Sequence, residues 1–239
     1  MNYFYITGTS RGIGKAIANE LLKSKNNFVY GLSRNTFIDH KNYEHIEIDF
    51  SDLEQTKKFQ FREHKDAEKI VLINNAGVLG HVTQVGNLQN EKIEQAYIVN
   101  LVSPAILTNN FINAYKDSTA EKFILNVSSG AARHTIKSWS TYCSTKSGLE
   151  MFARVIMEEQ KEMDGSPVKV FSIAPGVVDT EMQDEIREVE PENFSELDRF
   201  IQLKKEGKLV DPELVGRYFA DVINNPDKYE NPLMDLRDL

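Results

Sequence analysis

A tyrosine and a lysine four residues apart, Tyr142 and Lys146, have the residue types and spacing suited to proton transfer. In a helix, positions i and i+4 share one face, with about 5 to 6 Å between their Cβ atoms. An ammonium about 5 Å away attracts a phenolate by roughly 3 kcal/mol at an effective dielectric of about 20, equivalent to about 2 units of pKa. The pair therefore predicts a phenol of lowered pKa that exchanges protons near neutral pH. The same spacing also arises by chance on long helices, so the surrounding elements must decide.

A strand, a glycine-rich turn and a helix open the chain. The apolar run 3–6 is followed by residues 7–14, in which Gly8, Gly12 and Gly14 give the spacing G-x-x-x-G-x-G. Glycines permit a tight turn and a close approach of backbone to phosphate, and the amides at a helix N-terminus attract anions. Such a turn can also be purely structural, but its position directly after the first strand favours a dinucleotide cofactor.

Further motifs follow this turn in order along the chain. They are Asn74-Asn75-Ala76-Gly77 after a strand, Asn100 within a helix, Asn126-Val127-Ser128-Ser129 after another strand, Tyr142 to Lys146, and Pro175-Gly176-Val177-Val178-Asp179-Thr180. On these motifs the chain resembles the short-chain dehydrogenase/reductase family over essentially its whole length. The resemblance implies an α/β fold, a single-domain Rossmann-type doubly wound parallel sheet flanked by helices. It also implies one NADP-binding domain over 1–239, with a substrate lid at about 179–210.

The resemblance assigns catalytic roles to Asn100, Ser129, Tyr142 and Lys146. Tyr142 would give a proton to the substrate carbonyl oxygen, and Lys146 would lower its pKa while holding the nicotinamide ribose. Ser129 would hydrogen-bond the same carbonyl, because it stands three residues after Asn126 and thirteen before the tyrosine, which leaves Ser128 as a structural hydroxyl. Asn100 would hold a water in a proton relay to Lys146, or would be an ordinary asparagine at a helix kink.

The end of the second strand bears on the choice of cofactor. NAD enzymes place an acidic residue there for the ribose 2′-hydroxyl, whereas this chain has Ser33 and Arg34. Arg34 with Arg11 would clamp a 2′-phosphate, which favours NADP(H); alternatively, Arg34 is a solvated loop residue. The cofactor-binding residues that the resemblance implies are Gly8, Ser10, Arg11, Gly12, Ile13, Gly14, Arg34, Asn35, Asp49, Phe50, Asn75, Ala76, Gly77, Tyr142, Lys146, Val178 and Thr180.

Strand and helix segments alternate along the 239 residues, with 41% apolar content, which suits one α/β domain with a doubly wound parallel sheet. The connection from Arg34 to Glu44 is too short for much of a helix. The patterns predict strands at 3–7, 28–32, 44–49, 69–74, 122–127 and 168–173, and a weakly marked last strand at 233–236.

Composition limits the other function classes. Cys143 is the only cysteine, so no intrachain disulfide is possible and a reducing compartment is expected. The first strand begins almost at Met1 and no apolar run reaches membrane-spanning length, which makes the cytoplasm the expected location. The five histidines lack metal-ligand spacing and the net charge is -8, so neither a metal site nor a nucleic-acid partner is expected.

The segment from Asp179 to Asp198 holds nine acidic residues and one basic residue, Arg187. A solvated helical lid explains this composition. Such a lid would repel an acidic acyl-carrier protein, so a small neutral carbonyl compound is the expected substrate.

Within the family, the chain resembles the sepiapterin reductases and the bacterial benzil reductases. The matching segments are Lys137-Ser138-Trp139, 179–183, 203–211 and the tail 234–239. By this resemblance Asp235 would anchor a pterin through paired N–H groups, or be a surface carboxylate, and Trp139 would stack on an aromatic substrate or simply pack. The implied substrate residues are Ser129, Trp139, Tyr142, Gly176, Met182 and Asp235.

The function expected from the sequence is an NADPH-dependent, sepiapterin-reductase-like carbonyl reductase. The alternatives are a benzil or general dicarbonyl reductase and a catalytically idle NADP-binding sensor. The resemblance further implies a homodimer or homotetramer formed through the helices that carry Asn100 and Tyr142. The apolar residues Leu149, Phe152, Val155 and Ile156 allow such an interface, or else belong to the core.

Overall fold

The computed structural model describes residues 1–163, 165–229 and 231–238; Leu239, the end of the tail noted above, lies outside them. Seven strands form one parallel sheet in the order β3-β2-β1-β4-β5-β6-β7. The strands are β1 (Asn2–Thr7), β2 (Asn27–Ser33), β3 (Tyr43–Glu47), β4 (Lys69–Asn74), β5 (Glu121–Val127), β6 (Val168–Ala174) and β7 (Leu233–Asp235). The predicted doubly wound parallel sheet is confirmed, and each predicted strand is present to within two residues at either end.

Helices lie on both faces of this sheet. They are α1 (Gly12–Leu21), α2 (Leu53–Lys58), α3 (Asn90–Tyr97), α4 (Ser103–Ala114), α5 (Ser140–Lys161), α6 (Glu181–Arg187), α7 (Leu197–Lys205) and α8 (Pro212–Asn224). As predicted, the crossover from β2 to β3 contains no helix. Among the residues described, no helix combines the length and the apolar character needed to cross a membrane.

The alternation of side chains along each strand creates two cores. In β1, Phe4 and Ile6 pack with α1 and α8 on one face of the sheet. Tyr5, between them, points to the other face and packs with residues of α4 and α5. All three side chains are at most 1% exposed, so the sheet that positions the site is fully covered at its centre.

Helix α5 contributes residues to the core and to the surface. Leu149 and Ile156 are 2% and 5% exposed and belong to the core. Val155 is 48% exposed and Phe152 is partly buried. Of the four apolar residues considered for a subunit interface, two are therefore core residues, and assembly of the chain stays a prediction.

Candidate active site

A cleft of about 340 Å³ runs along the carboxyl ends of the strands. It lies at the point where the strand order reverses, between β1 and β4, which is where open α/β sheets bind ligands. The two strand ends are tied together, since the amides of Asn75 and Ala76 both donate to Thr7 Oγ1 at 2.9 Å. The Asn75 side chain donates to the carbonyl of Thr7 at 2.8 Å. The cleft therefore has a rigid floor.

We call the part of the cleft formed by residues 8–13, 33–34 and 48–51 the glycine-turn end. Gly8 and Gly12 adopt φ angles of 74° and 54°, in the left-handed region that favours glycine. A Cβ on Gly14 would lie 2.3 Å from the carbonyl oxygen of Gly8, so the helix packs directly on the turn. No acidic residue occupies the first turn of α1. This backbone cradle fits the phosphates of a dinucleotide.

Most of the predicted cofactor residues line the cleft, namely Gly8, Ser10, Arg11, Gly12, Ile13, Arg34, Asp49, Phe50, Asn75, Ala76, Gly77, Tyr142, Lys146, Val178 and Thr180. Two do not. Gly14 lies beneath the turn as a packing residue, and Asn35 is exposed beyond the cleft wall, with its carbonyl accepting a hydrogen bond from Ser33 Oγ at 2.6 Å.

The last residue of β2 carries a buried hydroxyl, and the residue after it carries an exposed guanidinium. Ser33 is 5% exposed. Its hydroxyl donates to the carbonyl of Asn35 and lies within hydrogen-bond distance of Thr9 Oγ1, at 3.2 Å. Arg34 is exposed on the cleft wall. Ser33 therefore supports the turn, and Arg34 is the group able to meet a 2′-phosphate.

Arg11 is engaged by carboxylates from α6. It pairs with Glu181, and its guanidinium is 3.7 Å from Glu185. All three side chains are more than half exposed. Any phosphate that binds Arg11 must compete with these two glutamates.

We call the opposite part of the cleft, formed by Ser129, Gly130, Trp139, Tyr142 and Arg237, the tyrosine end. Burial raises the pKa of Tyr142 to about 12, while the neighbouring Ser129 hydroxyl acts more weakly in the opposite direction. The Lys146 ammonium lies 5.7 Å from the centroid of the Tyr142 ring and donates to the carbonyl of Val127 at 2.9 Å. The lowered tyrosine pKa predicted from the sequence is not found in the polypeptide itself, because burial raises the pKa by more than the Ser129 hydrogen bond lowers it.

Burial also lowers the pKa of Lys146, to about 8. The lysine is 4% exposed, and desolvation disfavours its charged form. This amine lines the cleft together with Tyr142. It therefore changes charge close to neutral pH, in reach of whatever occupies the cleft.

Asn100 lies behind the cleft wall in a π-helical turn, Ile98–Val102, that joins α3 to α4. Its side chain accepts from the Val78 amide at 2.8 Å and donates to the Val78 carbonyl at 2.9 Å and to Thr145 Oγ1 at 3.2 Å. Through these bonds Asn100 connects the loop that follows β4, which forms part of the cleft wall, with helix α5. A π-helical turn in a helix often marks a functional position.

Ser128 and Ser129 both line the cleft, so the different roles predicted for them stay a prediction. Ser128 is 4% exposed and its hydroxyl faces Glu150 at 3.5 Å. Glu150, also 4% exposed, accepts from Arg133 Nε at 3.0 Å and from Arg154 at 3.1 Å. Both arginines hold the pKa of Glu150 below its usual value despite burial. This ion cluster fixes the turn that presents Ser129.

Trp139 belongs to an aromatic cluster at the tyrosine end. Its ring stacks on Phe194 at 5.5 Å, tilts against Phe200 at 5.5 Å and meets the Tyr142 ring edge-on at 5.5 Å. It is 6% exposed and still lines the cleft. Trp139 thus packs in the cluster and also borders the cleft. The predicted substrate residues Ser129, Tyr142, Gly176 and Met182 line the cleft as well.

Asp235 does not line the cleft. It is 8% exposed, and its carboxylate accepts from the Arg237 amide at 3.0 Å and from Arg237 Nε at 2.8 Å, with a further bond from Nη2. Arg237 lines the cleft in its place. The structure therefore brings the arginine, not the predicted aspartate, to the tyrosine end.

Sequence reasoning did not identify Arg237, Arg133 or Glu150 as contributors to the site. The sequence holds no distinctive pattern that marks them. Arg237, for example, is an arginine two residues after an aspartate, a spacing that is common in any chain. Only the pairing of β7 with β6, Ala174 opposite Asp235, brings the tail beside the turn after β6.

The family described as short chain dehydrogenase matches residues 2–191. A benzil reductase ((S)-benzoin forming) of Bacillus cereus is 34% identical over 95% of this chain and 96% of its own length. A sepiapterin reductase of Meriones unguiculatus is 38% identical over 60% of this chain and 54% of its own length.

Among solved structures, a short chain dehydrogenase/reductase from Saccharomyces cerevisiae superposes with a TM-score of 0.85 at 28% identity, covering 98% of this chain and 96% of that one. The fold, the ordered motifs and the family match over residues 2–191 agree. This chain belongs to the short-chain dehydrogenase/reductase family.

Proposed function

We propose that this protein is an NADPH-dependent reductase of small carbonyl compounds, with dicarbonyls such as benzil as its preferred class. The observation that carries the proposal is the continuous cleft that joins the glycine turn to Ser129, Tyr142 and Lys146. The similarity to a benzil reductase over nearly the full length of both chains supports the dicarbonyl class.

The glycine turn and the N-terminus of α1 would hold the pyrophosphate, and Arg34 would meet the 2′-phosphate. NADPH, when bound, supplies the hydride. Tyr142 keeps its proton up to about pH 12 and would donate it to the carbonyl oxygen. Ser129, beside the phenol, would hydrogen-bond the same oxygen, and the Lys146 ammonium would stabilise the phenolate that remains.

Exclusion of water from the reacting atoms would come from the aromatic cluster. Trp139 and Tyr142 are 6% and 7% exposed; Phe194 stacks on the tryptophan, and Phe200 packs against it and also lines the cleft. These rings give the tyrosine end an apolar wall that suits an aromatic or compact ketone. Low polarity there also strengthens the hydrogen bonds to the carbonyl oxygen.

A pterin ketone such as sepiapterin is the second candidate substrate, favoured by the 38% identity to a sepiapterin reductase. Recognition of its guanidine-like edge by Asp235 would require that edge to displace Arg237 from the carboxylate. This exchange breaks the bidentate pair between Arg237 and Asp235, so we rank the pterin below the dicarbonyl.

The test is Tyr142→Phe, with NADPH oxidation followed in the presence of benzil and of sepiapterin and with NADH as a comparison. We expect kcat to fall by about 10³-fold, typical of losing a positioned proton donor, with NADPH affinity unchanged within about threefold by fluorescence titration. The matched control is Tyr97→Phe, since the Tyr97 hydroxyl bonds Ser144 at 2.7 Å and does not line the cleft. Full activity in Tyr142→Phe, or no turnover by the unmodified protein, contradicts the proposal; the latter result favours a cofactor-binding sensor.

A further inference from the structure

The tail after β7 places a cationic side chain where the substrate of the proposed reductase would sit. Arg237 lines the cleft. Its Cγ and Cδ lie 3.4 and 3.6 Å from the position that a Cβ on Gly176 would occupy. Its Nη2 lies 3.6 Å from the corresponding position at Gly130. The side chain therefore crosses one glycine and reaches the other.

Both glycines are at positions that matter for the reacting group. Gly130 directly follows Ser129, whose hydroxyl neighbours the Tyr142 phenol. Gly176 has a φ of 78°, which other residues rarely adopt. Because Gly130 carries no side chain, the guanidinium reaches the residue adjoining Ser129, and it lines the same cleft as Ser129 and Tyr142.

Asp235 holds this guanidinium in place. The carboxylate receives Nε and Nη2 of Arg237, two of the five N–H donors that a guanidinium offers. The pairing is bidentate and Asp235 is 8% exposed, whereas the Arg237 side chain is 54% exposed. Such a supported arginine costs little ordering when it binds, since its fork is already oriented.

A planar guanidinium recognises oxygen acceptors, and does so most strongly when they are anionic. The tyrosine end already supplies donors for one substrate oxygen, the Ser129 and Tyr142 hydroxyls. We propose that Arg237 is a specificity-determining residue that binds a second acceptor oxygen next to the reacting carbonyl, as in vicinal diketones and 2-oxo acids. This inference rests on the proposed reductase function and names the substrate feature that the reductase selects.

The proposal reverses the role expected for Asp235. The carboxylate acts as the support of Arg237, and the arginine, not the aspartate, contacts the substrate. The group that recognises the substrate is then a hydrogen-bond donor, which suits oxygen atoms. The predicted aspartate would instead have been an acceptor, which suits N–H groups.

The experiment compares three ketones with NADPH: benzil, with a neutral second oxygen; phenylglyoxylate, with a carboxylate; and 2,2,2-trifluoroacetophenone, an activated ketone without an adjacent oxygen. In Arg237→Met we expect KM to rise at least tenfold for benzil and phenylglyoxylate, and to change less than twofold for trifluoroacetophenone. If KM rises more for benzil, Arg237 prefers a ketone oxygen; if it rises more for phenylglyoxylate, Arg237 prefers a carboxylate. Either result supports the proposal.

The double variant Asp235→Asn/Arg237→Met guards against unfolding, since it leaves no buried carboxylate without its partner, and should show the same selectivity. Arg237→Lys keeps the charge but loses the fork, so an intermediate effect is expected. Equal losses for all three ketones, or no change for any, overturn the proposal. If the unmodified protein reduces none of the three, the reductase function itself fails, which is a separate result.

Discussion

The glycine-turn end of the cleft is built around the close-packed backbone of the turn between β1 and α1, whereas the tyrosine end is formed mainly by side chains, from residues 129–142 and from Arg237 in the tail. A Cβ on Gly8 or Gly14 would lie 2.9 Å or less from its nearest neighbour atom. A Cβ on Gly130 or Gly176 would meet only the side chains of Arg237 and Val210, at 3.4 Å or more. A wall of close-packed backbone tolerates no added atom, while a wall of side chains can be remodelled one residue at a time. An added atom at the glycine turn should therefore lower the stability of the fold. A substitution at the tyrosine end should change substrate selectivity before it changes stability.

The largest expected effect comes from adding one methyl group at the glycine-turn end. In Gly14→Ala the Cβ would lie 2.3 Å from the Gly8 carbonyl oxygen and 2.4 Å from Asn75 Nδ2. We expect a loss of roughly 3 kcal/mol or more in unfolding free energy, together with loss of measurable NADPH binding. Urea unfolding and fluorescence titration measure both. The control is Gly130→Ala, whose Cβ meets only Arg237 at 3.6 Å and should cost less than about 1 kcal/mol. Similar stability in the two variants would remove the contrast between the ends.

Removal of the exposed guanidinium at the same end should alter cofactor choice without affecting folding. For Arg34→Ala we expect kcat/KM for NADPH to fall about 30-fold, corresponding to roughly 2 kcal/mol for a lost charged hydrogen bond, while the value for NADH stays within about twofold. Lys23→Ala is the matched control, because Lys23 pairs with Glu20 on the surface. Parallel losses with both cofactors would mean that Arg34 does not read the 2′-phosphate.

A change of pH should weaken the tyrosine end in a defined direction. Because the pKa of Lys146 is lowered to about 8, the ammonium is present below that pH and lost above it. We expect kcat/KM for NADPH to fall about tenfold from pH 7 to pH 9, since the anionic cofactor loses an attractive charge; this ratio reports groups of the free protein. Lys146→Arg, whose side chain stays protonated, should give a flat profile over the same range. A flat profile in the unmodified protein would count against titration of Lys146.

The smallest expected effect concerns the ion pairs that cross from the turn to α6. Glu181→Gln with Glu185→Gln releases Arg11, so NADPH should bind about threefold more tightly, as exposed pairs contribute less than about 1 kcal/mol. Titration at low and high salt is the measurement, and the gain should shrink as salt screens the charges. The control is Glu158→Gln, which removes only the partner of Lys161 at the end of α5, and neither residue lines the cleft. Weaker NADPH binding in the double variant would show that the glutamates assist the cofactor.

The sequence allowed the fold and the glycine-turn end to be predicted for the same reason. Both depend on local patterns: alternating apolar strands, glycines at fixed spacing, and polar residues at strand ends. Of the residues predicted there, only Asn35 and Gly14 lie off the cleft wall. The separate roles of Ser128 and Ser129, assigned by resemblance to the family, stay a prediction, and the contact of Ser128 with Glu150 agrees with a structural hydroxyl.

The remainder of the site depends on contacts that are distant in sequence. The pKa of Tyr142 was misjudged because spacing reports the distance to Lys146 but not the depth of burial. Asp235 was predicted to contact the substrate by resemblance to the sepiapterin reductases. Its bidentate pairing with Arg237 could not be predicted from that resemblance. Long-range packing of the tail decides which of the two side chains faces the cleft.

The short last strand has a consequence for how firmly the tail is held. Strand β7 pairs with β6 through three residues only, Ser172 to Ala174 opposite Leu233 to Asp235. Segments held by few contacts open locally at a lower free energy than the rest of a domain. The strand that precedes Arg237 is therefore held to the sheet more weakly than the six-residue pairing of β1 with β2 beside the glycine turn. Local opening of the tail would remove the selectivity of the site while leaving the strands around the turn paired.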